Sequence, residues 1–284
     1  MSLLDQIKGR GKKPASDKPD PKILRENKTL RSKLQEISKK VPRYLFRMWH
    51  PGSGGNPQLN TTEKITPLAL LDGTGHKSVY DMSIQQFIDM TTSHLRGDHV
   101  TTEFSSWSAS PRFVLHYATN NGNSIFWVPD LAIFEKPAPG RSLGYDIYDW
   151  EYLVHGIVEG RHYKAVPFKS LCEAGLTNYL PTLRNHVDAW GSSRFSLPDS
   201  IVPFSREELE DLGRMASLNE SQSNLRAAVT VALFCCKKRP GFGTQLMEDQ
   251  LRELVQHVGG RNLVPDDWCA SLCKDVYDFR FWST

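Results

Sequence analysis

Apolar positions change their spacing several times along the chain, and each change predicts a different element. From Lys22 to Lys40, Ile23, Leu24, Leu30, Leu34 and Ile37 fall at intervals that allow a helix with a narrow apolar stripe, either docked on the body or loosely attached. Pro42 ends that regime. Tyr44-Leu45-Phe46-Arg47-Met48-Trp49 is aromatic-rich and strand-like, with one charge inside an apolar run. The glycines and prolines of residues 50–57 predict a flexible loop, and residues 58–76 read as irregular. Met82, Ile84, Phe87, Ile88, Met90 and Leu95 return to helical spacing over residues 81–95, ending at His94-Leu95-Arg96-Gly97.

The stretch Thr102–Ala118 reads as a short strand, a serine-rich corner and a helix. Ser108 or Ser110 suits the N-cap, and Pro111 suits the first helical turn. Residues 125–128 and 132–134 predict two further strand pieces, residues 145–158 lead into a strand with a bulge near Gly156, and residues 162–168 predict one more. Strands and helices here do not alternate as in βαβ folds, so the class is α+β. Beyond Lys169 the chain turns helical: a short helix over residues 170–179, a helix opened by the capping box Ser205/Glu208, and helices over residues 225–236, 245–258 and 266–277. These patterns predict an arm over residues 1–41, an α+β domain over 42–170 and a mostly helical region over 171–284.

Charge changes the picture of the arm. The 284 residues carry a net charge of +3, but residues 1–43 hold 13 Lys/Arg against 5 Asp/Glu, and the remainder 22 against 27. A basic arm thus precedes a mildly acidic body. Residues 1–22 have the composition of a disordered tail. Residues 8–40 offer contacts to an acidic partner or nucleic acid, or serve only as a solvated face. No stretch approaches the ~20 apolar residues of a membrane span, and the N-terminal residues lack a signal-peptide apolar core, so an intracellular, cytoplasmic or nuclear location is expected. Five unevenly spaced cysteines argue against a disulfide framework. No Cys/His spacing builds a zinc site, so no metal is expected.

The chemistry-bearing candidates are Arg47, the hydroxyls of Ser105, Ser106 and Ser108, and Glu151 beside Asp149. An arginine in an apolar strand requires an anionic partner or an open cleft. Arginine pairs with phosphate, serine hydroxyls donate to phosphate or orient a carboxylate, and a glutamate binds ribose hydroxyls and stabilises a sugar cation. The bland reading is a paired arginine and serines that cap a helix.

Leu45-Phe46-Arg47, Ser106-Trp107-Ser108 and Asp149-Trp150-Glu151, in that order, resemble the three motifs of the Arg–Ser–Glu class of ADP-ribosyltransferases, which includes cholera-toxin-like and pierisin-like enzymes. Trp107 stands where that family has threonine, and Asp149 where many members have Glu or Gln. The layout Leu-Phe-Arg, Phe-Ser-Ser-Trp-Ser and Glu-Tyr-Leu-Val also resembles uncharacterised fungal proteins; the likeness covers roughly residues 42–168. The resemblance implies a split two-sheet core and NAD as substrate, without a metal. It implies that Arg47 holds a phosphate of NAD, that Ser106 positions Glu151, and that Glu151 stabilises the sugar cation as nicotinamide leaves. Ser108 would support the nicotinamide wall, His94 would assist ribose binding, Trp107 would stack or simply pack, and Asp149 would influence the acceptor. The expected function is mono-ADP-ribosyl transfer or NAD hydrolysis; the alternative is an inactive module of the same fold that binds protein or nucleotide.

Overall fold

The computed structural model describes residues 23–42, 44–49, 56–71, 73, 75–98, 101–109, 111, 114–115, 130–135, 151–181, 204–219, 223–236 and 245–259, with the backbone alone at 56–57, 130–135, 151, 223–224, 235, 245–248 and 258–259. In chain order the main elements are α1 (Lys28–Lys40), β1 (Tyr44–Trp49), α2 (Ile84–Arg96), β2 (Phe104–Ser108), β3 (Asp130–Glu135), β4 (Glu151–His155), β5 (Tyr163–Pro167), α3 (Phe168–Glu173), α4 (Leu176–Tyr179), α5 (Arg206–Ser217), α6 (Ser223–Cys236) and α7 (Gln245–Gly259). The class is α+β, as the sequence predicts. These elements fall into two compact units, each discontinuous in sequence: one over Met1–Val41, Ile65–Trp107 and Pro137–Ile157, the other over Pro42–Lys64, Ser108–Lys136 and Val158–Thr284.

In the first unit β2 and β4 are neighbouring strands, with α1 and α2 contributing to the same unit. The arm helix is docked rather than loose. Leu24 and Leu34 are fully buried in one apolar cluster with Met82, Phe87, Phe104 and Leu153. Asn27 starts α1 by accepting the Leu30 N–H at 3.0 Å. A capping box starts α2: Ser83 Oγ accepts the Gln86 N–H at 3.1 Å, and Gln86 Oε1 accepts the Ser83 N–H at 2.9 Å. Gly97 ends α2 at φ 69°, a left-handed conformation that a Cβ would disfavour.

In the second unit β1 runs antiparallel to β3 from Tyr44 opposite Glu135 to Trp49 opposite Asp130, and β3 is antiparallel to β5. Ser108, the last residue of β2, belongs to this unit and pairs with Phe46. Ser108 is therefore a strand residue rather than a helix cap. Pro111 is helical, as expected of a first-turn proline. One apolar core joins Phe46 and Leu115 to Leu212, Leu225, Leu233 and Leu254. The segment read as one helix over residues 170–179 is two, α3 and α4. Gly175 separates them at φ 113°, where a Cβ would meet Asp211 Oδ1 at 2.5 Å. Both bonds of the Ser205/Glu208 capping box are present at the start of α5. The predicted tail 1–22, the strand at 125–128 and the helix at 266–277 lie outside the described residues.

Candidate functional site

Strand alternation divides β2 into two faces. Ser105 and Trp107 point one way. Trp107 is 2% exposed and its indole N–H donates to Ser105 Oγ at 2.8 Å, while Ser105 Oγ donates in turn to Val154 O on β4 at 3.5 Å. Trp107 thus packs, the second of the two roles open to it. Phe104 and Ser106 occupy the other face. Ser106 is the one residue of β2 that is not buried.

His94 reaches Ser106 because of helical periodicity. Phe87, Thr91 and His94 recur at i, i+4 and i+7 along α2, and Phe87 and Thr91 are buried at 1% and 2%. His94 Nε2 lies 2.9 Å from Ser106 Oγ, and Nδ1 lies 2.7 Å from Thr102 Oγ1. Both ring nitrogens are thereby engaged within the unit. A ribose hydroxyl bound at His94 would have to displace one of these contacts. The Phe104 ring stands edge-on to Phe87, His94 and His155, with centroids 6.3, 6.4 and 5.5 Å away.

A second network surrounds Glu103, one residue before β2. Its side chain is 4% exposed. His76 Nδ1 lies 2.7 Å from Oε1, His155 Nε2 lies 2.8 Å from Oε2, and the His76 backbone N–H donates to Oε2 at 3.0 Å. A buried carboxylate is costly unless its lone pairs are filled, and three donors fill them here. The Glu103 carbonyl accepts the Gly156 N–H at 2.9 Å, and its own N–H points to Met90 Sδ at 3.2 Å. Burial holds the His155 imidazole below its ordinary pKa, while the hydrogen bond and charge of Glu103 pull the other way. His155 is buried and His76 half-buried. Sequence reading missed Glu103, His76 and His155. They lie 27 and 52 residues apart from their partner, and no local motif marks them.

The other expected site residues are distributed as follows. Arg47 lies mid-strand in β1 of the second unit, half-buried, in register with Ala132. Ser108 is in the same unit and 5% exposed. Glu151 opens β4 in the first unit. Asp149, like the side chain of Glu151, lies outside the described residues.

Two further features are less suggestive of chemistry. A cavity in the second unit is lined by Phe46, Leu115, Val166, Leu171 and Leu233; among its described lining residues Asn219 is the one polar side chain and none is titratable. Among the described residues no group of three His, Cys, Asp or Glu is arranged to hold a metal ion, and no helix is long and apolar enough to cross a membrane.

A family model described as "Domain of unknown function (DUF7587)" matches residues 40–156. Comparison with curated proteins and with solved structures gave no match. The matched range contains Arg47, His94, Ser106 and Glu151 together with His76, Glu103 and His155, whereas α5, α6 and α7 lie beyond it.

Proposed function

We propose that the chain is an NAD-consuming domain that performs mono-ADP-ribosyl transfer or NAD hydrolysis. The observation that supports this reading best is the adjacency of two strands in the first unit: Ser106 lies on β2, and β4, which opens at Glu151, is its neighbour. In this reading Glu151 binds the ribose hydroxyl and stabilises the oxocarbenium-like state, and Ser106 orients that carboxylate. His94 acts through Ser106, because its two nitrogens are already held by Ser106 and Thr102. Asp149 takes the acceptor-directing role that the motif order assigns to it.

The buried Trp107 favours a second reading. Its side chain packs and bonds to Ser105, so the middle position of the Ser-x-Ser motif supplies no hydroxyl. In that reading the domain binds protein or nucleotide without turnover. Incubation with labelled NAD separates the two. Nicotinamide release by the native chain, lost in Glu151→Gln, supports the enzyme. An NAD-dependent rise in Tm without release supports the binding module. Release that is equal in the native chain and Glu151→Gln overturns the assignment of Glu151.

A further inference from the structure

The contacts of His94 form a chain whose chemistry extends beyond the NAD reading. Thr102 Oγ1 is placed to donate to Phe104 O at 3.4 Å, which leaves its oxygen as acceptor toward His94 Nδ1 at 2.7 Å. A proton on Nδ1 leaves Nε2 as the basic nitrogen, and Nε2 is the one 2.9 Å from Ser106 Oγ. A hydroxyl within hydrogen-bond reach of an imidazole, which is itself oriented by a third group, is the arrangement of an activated nucleophile. Ser106 is also accessible, whereas its neighbours Ser105 and Trp107 are 3% and 2% exposed.

We propose that Ser106 is a nucleophile toward acyl donors, with His94 as its general base and Thr102 as the residue that positions His94. The substrate class is an ester with an apolar acyl group. This choice follows from exposed apolar side chains on the segment bonded to Thr102. The Ala69 N–H donates to Thr102 O at 3.2 Å, and Leu68 and Leu71, which flank that segment, are 47% and 62% exposed.

The steps balance without a further reagent except water. Ser106 Oγ forms a bond to the acyl carbon as its proton passes to His94 Nε2. The ester C–O bond then breaks, and the leaving alkoxide takes that proton. Water, deprotonated by the same nitrogen, attacks the acyl-serine and releases the acid, returning the proton to Ser106. The chemistry goes beyond the NAD reading and uses no NAD. Failure of nicotinamide release therefore leaves it standing, and its own failure leaves the NAD reading standing.

The test is reaction of the full chain with a fluorophosphonate probe and with p-nitrophenyl butyrate, in the absence of NAD. The labelled site is mapped by peptide mass spectrometry, and each variant is checked by thermal melting. The expected label is on Ser106 and is absent in Ser106→Ala. His94→Asn slows labelling about 100-fold or more, the scale of general-base assistance. Thr102→Val slows it roughly tenfold, the worth of one neutral hydrogen bond, and Thr102→Ser restores it. The pH dependence of labelling seen in the native chain is lost in His94→Asn. Absence of label on Ser106, label on another serine only, or equal rates in folded native chain and His94→Asn overturns the proposal.

Discussion

In the first unit, β2 lies beside a carboxylate, two histidines and the hydroxyl of Ser105, and these groups bond to residues distant in sequence. In the second unit, α5 and α6 bury Leu212, Met215, Leu225, Ala228 and Leu233, and the buried hydroxyl of Thr230 returns to its own helix at Arg226 O, 2.9 Å away. The first core depends on directional bonds that each need one partner in one place. The second depends on apolar area and volume, which many side chains can supply. Polar burial is expensive and packing alone does not require it, so the polar network of the first unit must be matched partner by partner.

Substitution sharpens that contrast. Glu103→Ala leaves two imidazole N–H groups and a backbone N–H without their acceptor in a buried setting. The expected cost is about 4 kcal/mol, read as a lowered urea midpoint. A loss below about 1 kcal/mol would mean that the network contributes little. Leu225→Ala, at a fully buried site of the second unit, should cost about 3 kcal/mol through a cavity. Activity at Ser106 should survive this change at temperatures where the variant stays folded; loss of activity in the folded variant would erase the distinction between the two cores.

Smaller effects are expected at the helix starts. Ser83→Ala and Ser205→Ala each remove half of a capping box, one per unit, and each should cost about 1 kcal/mol by thermal melting. Only Ser83→Ala should also slow reaction at Ser106, because α2 carries His94.

The finest difference is in pH dependence. His155 is held below its ordinary value by burial, against the opposing pull of Glu103 and with the charge of His76 adding to the lowering. The unfolded chain therefore takes up the proton first as pH falls. The stability associated with His155 is fully present above the unfolded value of ~6.5 and is lost as pH falls from there toward the lowered folded value. His155→Gln keeps an N–H donor for Glu103 but does not titrate, so its unfolding midpoint should change less with pH over that window. Identical pH profiles for native and variant chains would remove His155 from the account.

Local features of this fold were legible where short-range chemistry decides them. The aromatic run at β1, the end of α2 at Gly97 and the Ser205/Glu208 box all follow from side-chain type and spacing. Ser108 was not legible as a strand residue. A serine two or three residues before a helical proline has the local look of a cap, and only pairing with Phe46 makes it strand. Gly175 splits one expected helix because Asp211, 36 positions on, fills the space a Cβ would need. The return of the chain, after β3 in the second unit, to the unit that holds α1 and β4 is likewise a long-range fact. In the candidate site, Ser106 and His94 carried a recognisable motif order, whereas Glu103 became visible only once the fold brought His76 and His155 to it. At Gly156, near which the sequence predicts a bulge, the residue adopts φ 94° and lies between β4 and the short strand Val158–Glu159.

The most direct measurement of the proposed function is nicotinamide release from NAD by the purified chain, followed chromatographically beside Glu151→Gln. The account predicts release by the native chain and a loss of at least about 100-fold in the variant, the scale of a removed charge-stabilising group. No release by a folded native chain, or equal release by both, would contradict it.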